Sequence, residues 1–293
     1  MNYDVSIVIA TYNRVDKLKN TIDSILAQDY ANDYEIIIVD DGSADETEAK
    51  VNALVKKYWK IRYFKQEHKG PAAARNLGIK KSKYDIVAFT DDDCLVPEDW
   101  LKKLVDGYKK YPNVVGVGGY IEAKDETLKN NVFAQWERFE AREIYGLREE
   151  EVVGGFECPG MGTANASFKK KILNEVNGFD EFFKSAAGED MDLKYRISKR
   201  GYKFLYSPIK VTHMQDYNWN RFIKQSWTRG IGSKYFDMKY ERSTILESIA
   251  KIFFSPLIFI YFIFTSSINL QNIKMHALRT IRLFVASTAR IIG

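Results

Sequence analysis

Four short apolar runs rich in β-branched residues occupy positions 5–10, 35–39, 61–64 and 85–89, and each has the length of a strand. Between them the apolar period changes. Leu18, Ile22, Ile25 and Leu26 fall on one helical face, and Val51, Leu54 and Val55 on another. Strands alternating with helices predict a parallel sheet with helices on both sides, and the unbroken runs IIIV and IVAF suit strands buried on both faces. In such sheets ligands bind beyond the carboxyl ends of the strands. The polar clusters fall there: Thr11-Tyr12-Asn13-Arg14, Asp40-Asp41-Gly42-Ser43 and Asp91-Asp92-Asp93. Solvated turns are the plain alternative for each, and Ser43 reads best as the cap of a helix starting near Ala44.

From about 120 to 152 the chain turns charged and helical, and GGFECPGMGTANASF then returns to glycine-rich loop and strand. No repeat or low-complexity linker interrupts it. Residues 1–240 therefore read as one α/β domain of two halves, 1–120 and an acceptor-facing 121–240. Residues 241–293 read as a helical tail. Within it, 252–268 runs 17 residues without a charge, just short of a spanning helix. The mixed apolar and cationic stretch at 273–292 is patterned like a helix in a membrane interface. A monotopic or re-entrant anchor fits this pattern, and a hydrophobic helix packed on the domain is the alternative.

Composition narrows the class. Of 293 residues, 45% are hydrophobic and 28% charged, which excludes general disorder. The net charge of +5 concentrates in Lys274, Arg279, Arg282 and Arg290, with no acid after Gln271. These cations lie beside an apolar run and form no aromatic-studded stripe, so they point to a membrane surface and not to nucleic acid. Cys94 and Cys158 are the only cysteines and have no CxxC spacing, which suggests neither a zinc site nor a disulfide framework. The start, MNYDVSIVIATYNR, has no secretory leader. A membrane-associated protein with a cytoplasmic catalytic domain is expected.

Asp91 and Asp93, spaced i and i+2 past a strand, can both face a ligand while Asp92 turns elsewhere. Hard oxygen donors of this kind hold Mg²⁺ or Mn²⁺ through one or two carboxylates and leave the other positions to water and phosphate. No Walker loop and no G-x-G-x-x-G after the first strand competes with that reading.

The ordered pieces SIVIATYNR (6–14), IIIVDDGSADET (36–47), GPAAARNLGI (70–79), FTDDDC (89–94), GTANASFKK (162–170), GFDE (178–181) and GEDMDLKYR (188–196) resemble the family 2 glycosyltransferases of GT-A fold. The resemblance covers about residues 4–235. It implies an α/β three-layer sandwich with a mostly parallel central sheet, and inverting transfer from a nucleotide-sugar, most often a UDP-sugar. By resemblance, Thr11, Tyr12 and Arg14 line the base pocket and Asp40 accepts from the uracil ring. Ala72, Arg75 and Asn76 close over the nucleoside, the alternative for Arg75 being a surface salt bridge. Asp91, with Asp92 beside it, approaches the ribose or sugar, and Asp93, with Asp91 and His213, binds the metal. Asp190 is the base, supported by Glu189; the two acids also suit the start of a helix on stability grounds alone. Trp227 and Arg229 are candidates for acceptor or diphosphate contact. The processive members' Q-x-x-R-W is absent, because Gln225 and Trp227 are out of register. The expected activity is therefore addition of one hexosyl or N-acetylhexosaminyl unit to a glycan or lipid-linked acceptor in polysaccharide biosynthesis, with the membrane contacted through the tail. A non-catalytic nucleotide-sugar-binding subunit is the alternative from another class. A nucleotidyltransferase is a third, disfavoured because TYNR is not a glycine-rich, lysine-bearing loop.

Overall fold

Sorting of alternate side chains builds the sheet. In the computed structural model, which describes residues 3–183, 187–241, 247–250, 252–254 and 270–292, β2 (Tyr34–Asp40) is buried at every position. Ile36 and Ile38 enter one core cluster and Ile37 and Val39 the other, as a two-residue period demands. The strands β1 (Val5–Thr11) and β4 (Ile86–Phe89) divide the same way. Helix α1 (Val15–Leu26) covers the first cluster with Leu18, Ile22 and Ile25, and α3 (Pro71–Lys81) covers the second with Ala72, Ala74 and Ile79. Helix α3 lies close to β1: a Cβ at Gly78 would sit 2.3 Å from Val8 Cγ1. That approach requires glycine and fixes the helix that carries Arg75.

Strand β3 (Ile61–Lys65) and helices α2 (Thr47–Lys57) and α4 (Trp100–Lys110) complete the early α/β pattern. The later strands are β5 (Cys94–Leu95), β6 (Val114–Glu122), β7 (Val152–Gly154), β8 (Ala166–Lys169) and β9 (Lys203–His213). All nine join one sheet in the order β3-β2-β1-β4-β8-β6-β9-β5, with β7 also on β9. The sheet is mixed, and this qualifies the mostly parallel expectation. Strands β3, β2, β1 and β4 are parallel, but β8 runs antiparallel to both β4 and β6. Strands β5 and β7 are antiparallel to β9. These reversals come from two- to four-residue strands, too short to show a period in the sequence.

Contacts divide the chain into two units. The sheet unit comprises Met1–Lys124, Ala141–Lys184 and Glu189–Gln215. It also holds α7 (Lys170–Glu175) and α8 (Glu189–Ser198). The second comprises Asp125–Glu140, Ser185–Gly188 and Asp216–Gly293, so the contacts group residues 216–240 with the tail. Its helices include α5 (Asp125–Asn130), α6 (Val132–Phe139), α9 (Trp219–Lys239) and α10 (Leu270–Ile292). Trp136, Phe222, Met275 and Leu278 form its core. Gly230 on α9 lets α10 approach: a Cβ there would lie 2.3 Å from the Ala286 carbonyl. The tail helix thus buries part of its apolar side within this unit. Of the uncharged run at 252–268, only 252–254 fall among the described residues. No helix among the described residues is long and apolar enough to cross a membrane.

Candidate active site

Sheet register assembles the first half of the site. Thr11 pairs with Asp40 at the ends of β1 and β2, and Val8 pairs with Phe89 at the end of β4, so Asp91–Asp93 follow beside β1. Cys94 pairs with His213, and the Met214 amide donates to the Asp93 carbonyl at 2.7 Å. Strand pairing alone thereby brings His213 to the acidic turn.

The carboxylates are differently held. Asp40 is buried and accepts from the Ser43 amide at 2.7 Å and the Tyr63 hydroxyl at 2.6 Å. Burial and that bond push the Tyr63 hydroxyl pKa up. Asp41 accepts from Gln66 Nε2, the Lys69 amide and the Gly70 amide at 2.7–2.9 Å. It also lies 2.9 Å from His68 Nδ1. That loop sets the His68 ring against Tyr12, with centroids 4.2 Å apart.

Buried Asp92 accepts from Thr11 Oγ1 at 2.8 Å and Arg14 Nη1 at 3.0 Å, and its carbonyl accepts from Thr21 Oγ1 at 3.0 Å. Burial outweighs these partners and raises its pKa to about 6. Buried Asp93 accepts from the same Arg14 nitrogen at 3.1 Å and lies 3.5 Å from His213 Nε2. Burial pushes its carboxyl up too, but His213, Arg14 and Lys17 overcome that and hold it at about 2.

The second half starts at α8, whose first turn carries Glu189, Asp190 and Asp192 where the helix dipole favours anions. Arg75, buried on α3, donates to Asp91 Oδ1 at 3.0 Å and to Glu189 Oε1 at 2.8 Å. Burial acts against its charge, but Asp91 and Glu189 prevail and raise its pKa. Glu189 Oε2 is buried and has no hydrogen-bond partner among the described residues. Burial, then the neighbouring Asp190, raise the Glu189 pKa to about 7 against the pull of Arg75. Asp190 is half-buried and accepts from the Met191 amide at 2.7 Å. A Cβ at Gly162 would meet its Oδ2 at 3.5 Å, so the 160–163 turn passes beside it.

Thr11, Tyr12, Arg14, Asp40, Ala72, Arg75, Asn76, Asp91, Asp92, Asp93, Glu189, Asp190 and His213 all belong to the sheet unit. Ala72 is buried. Asn76 bonds Phe179 through the amide and carbonyl and reaches Glu181 at 3.0 Å, which anchors the 178–181 turn. Arg229 and Trp227 belong to the second unit, where Arg229 donates to buried Glu140 at 2.6 Å. The cap expected at Ser43 is not formed. Helix α2 begins at Thr47, and Ser43 Oγ instead accepts from the Asn13 amide at 2.9 Å. Tyr63 and His68 lie outside the motifs visible in the sequence, because their roles depend on pairing across 23–27 residues.

No cluster of three His, Cys, Asp or Glu side chains suited to a metal occurs among the described residues. Asp93 and His213 offer an anionic oxygen and an imidazole side by side, whereas Asp91 is turned to Arg75. Such a donor set fits a hard divalent cation whose remaining positions are filled by water and ligand phosphate.

The model of the family described as "Glycosyl transferase family 2" matches residues 6–176. The chain belongs to glycosyl transferase family 2. An "Uncharacterized glycosyltransferase" of Rickettsia felis is 36% identical to this family 2 chain over 141 residues, 45% of the chain and 23% of the relative. A "Pre-mycofactocin glycosyltransferase" of Mycobacterium tuberculosis is 32% identical over 209 residues, 71% and 42% of the two. A "Poly-beta-1,6-N-acetyl-D-glucosamine synthase" of Staphylococcus aureus is 26% identical over 211 residues, 72% and 49%. The chain spans less than half the length of these curated relatives. Among solved structures, the mannosyltransferase PcManGT of Pyrobaculum calidifontis, in complex with GDP-Man and Mn²⁺, shares the fold. Its TM-score is 0.58 at 18% identity, over 98% of this chain and 74% of that one. TarS 1-349 of S. aureus shares it at a TM-score of 0.52 and 16% identity, over 78% and 65%. The family match takes in the strand-end acids and Arg75, while Glu189, Asp190 and His213 follow it.

Proposed function

We propose that the chain is an inverting, metal-dependent glycosyltransferase that moves one hexosyl or N-acetylhexosaminyl unit from a nucleotide-sugar, in the first instance a UDP-sugar, to a hydroxyl of a glycan or lipid-linked acceptor. The observation that carries it is the joining, through buried Arg75, of the strand-end acids to the acid pair that opens α8. Asp40 has lone pairs left after Ser43 and Tyr63 to accept from a base N–H. Tyr12, exposed and stacked on His68, offers the base an aromatic face. Asp93 and His213 would hold a divalent cation, whose chemistry is to neutralise charge on the departing nucleoside diphosphate. Asp190 takes the proton from the acceptor hydroxyl as it attacks the anomeric carbon from the opposite side, and Glu189 orients that hydroxyl. The GDP-Man and Mn²⁺ of the mannosyltransferase neighbour support a nucleotide-sugar with a divalent cation. The uncharged run at 252–268 and the cations after it support work at a membrane surface, with the catalytic unit cytoplasmic.

The test is turnover of a panel of UDP- and GDP-sugars in Mn²⁺, with glycan and lipid acceptor extracts. Wild type transfers or hydrolyses at least one donor with inversion, and Asp190→Asn binds it without turnover. Donor binding by the wild type with no turnover over any acceptor would instead identify a non-catalytic nucleotide-sugar-binding subunit.

A further inference from the structure

Arg75 is buried on α3, and both of its terminal nitrogens are spent on acids. One meets Asp91, 16 positions away, and the other Glu189, 114 positions away. The guanidinium also lies 5.8 Å from the centre of the Phe179 ring, and Gly78 holds its helix down on β1. Glu189 depends on it: Oε1 accepts from Arg75, and Oε2 has no partner among the described residues. The charged groups facing Glu189 are Asp190 on its own helix, Arg75 from α3 and Asp91 from the turn after β4. One cation thus stands among three carboxylates.

We infer that Arg75 is a positioning residue that ties the donor-side acid Asp91 to the acid pair Glu189–Asp190, and that it does not bind the nucleoside. Its planar fork reaches two acids in fixed directions, which a lysine ammonium cannot reproduce. Without the fork, Glu189 loses its anchor, and its repulsion with Asp190 and Asp91 is no longer offset. The acceptor hydroxyl then meets a displaced base carboxylate beside a Glu189 that holds its proton more tightly. The inference rests on the glycosyltransferase reading above.

The experiment uses the full chain in Mn²⁺ with a donor found active in the panel. It compares wild type with Arg75→Lys and Arg75→Met for donor hydrolysis kcat, donor KM, the pH profile of kcat, and UDP or GDP affinity by calorimetry. The expected result for Arg75→Lys is a kcat lower by about 100-fold, with donor KM and diphosphate affinity changed by less than about threefold. The acid limb of kcat moves to higher pH, further for Arg75→Met than for Arg75→Lys, because a carboxylate that loses a cation holds its proton more tightly. Weaker UDP or GDP binding, with or without a moved limb, overturns the inference and returns Arg75 to the nucleoside. A lower melting temperature with kcat and the limb unchanged overturns it in favour of a structural ion pair. If Arg75→Met does not fold, Arg75→Lys alone decides. Failure of the wild type to turn over any donor removes both this inference and the function it rests on.

Discussion

At the end of β4, Arg14 reaches over Asp92 and Asp93 with its side chain 41% exposed; at the start of α8, Arg75 reaches Asp91 and Glu189 with its side chain 6% exposed. Each region sets adjacent acids against one guanidinium, yet the charges come out differently. Asp93 is held at about 2 because His213 and Lys17 add to Arg14. Asp92 has the same arginine and the Thr11 hydroxyl, but burial and the neighbouring Asp93 and Asp91 outweigh them, and it rises to about 6. Glu189 shares Arg75 with Asp91, has Asp190 beside it and rises to about 7. Burial is common to all three. The balance of nearby cations against neighbouring carboxylates decides which acid stays ionised. Asp93 is therefore a fixed anion suited to a cation, whereas Asp92 and Glu189 hold protons more tightly than an ordinary carboxylate.

The largest effect belongs to the α8 end. Asp190→Asn is expected to lower turnover by roughly a thousandfold while donor binding survives, measured as single-turnover rate against calorimetric affinity. Full activity in that variant would move the base elsewhere. Next comes Asp93→Asn, expected to cost roughly a hundredfold, mainly through loss of Mn²⁺-dependent donor binding. Asp92→Asn should cost less, since the amide oxygen still accepts from Arg14 and the Thr11 hydroxyl can turn to accept from the new amide N–H. Equal losses in the two variants would erase the distinction between the acids of that turn. A smaller effect is expected at Arg14. Removing a unit charge about 5 Å from a bound divalent cation in a water-like medium is worth roughly 15-fold, so Arg14→Ala should tighten Mn²⁺ binding by about that factor. Calorimetry in the absence of donor reads it directly, and weaker binding would show that Arg14 orders the acids more than it competes with the metal.

The two regions also differ in how far they could be read from the chain. Asp91–Asp93 follow an apolar run at once, so strand and ligand side are both visible in IVAFTDDD. The first four strands stand out because burial on both faces leaves unbroken β-branched runs. The later half of the sheet hides its pattern. Strand β6, VVGVGGYIE, is glycine-rich because Met161, Phe168 and Ile209 crowd against it. Strand β9 contains Pro208, and its register with β6 shifts between Tyr206 and Lys210, as a residue without an N–H requires. Glu189 and Asp190 were legible as the start of a helix. The link from Glu189 to Arg75 across 114 positions was not, because charge pairing leaves no local period.

The smallest effect bears on stability and has a definite sign with pH. The Glu189 carboxyl is raised from 4.5 to about 7 on folding, so between those values the folded chain holds a proton that the unfolded chain has released. The stability tied to that proton is complete below the unfolded value and is lost as pH rises through the folded one. Glu189→Gln keeps the neutral shape at every pH. Its melting temperature should match wild type at the acid end of this window and exceed it by a few degrees near about pH 8, even though the variant is less active. Thermal melts across the window measure the difference. A variant less stable at the alkaline end would mean that the charge pairing with Arg75 outweighs burial, and the α8 acid would then resemble Asp93 in keeping its charge.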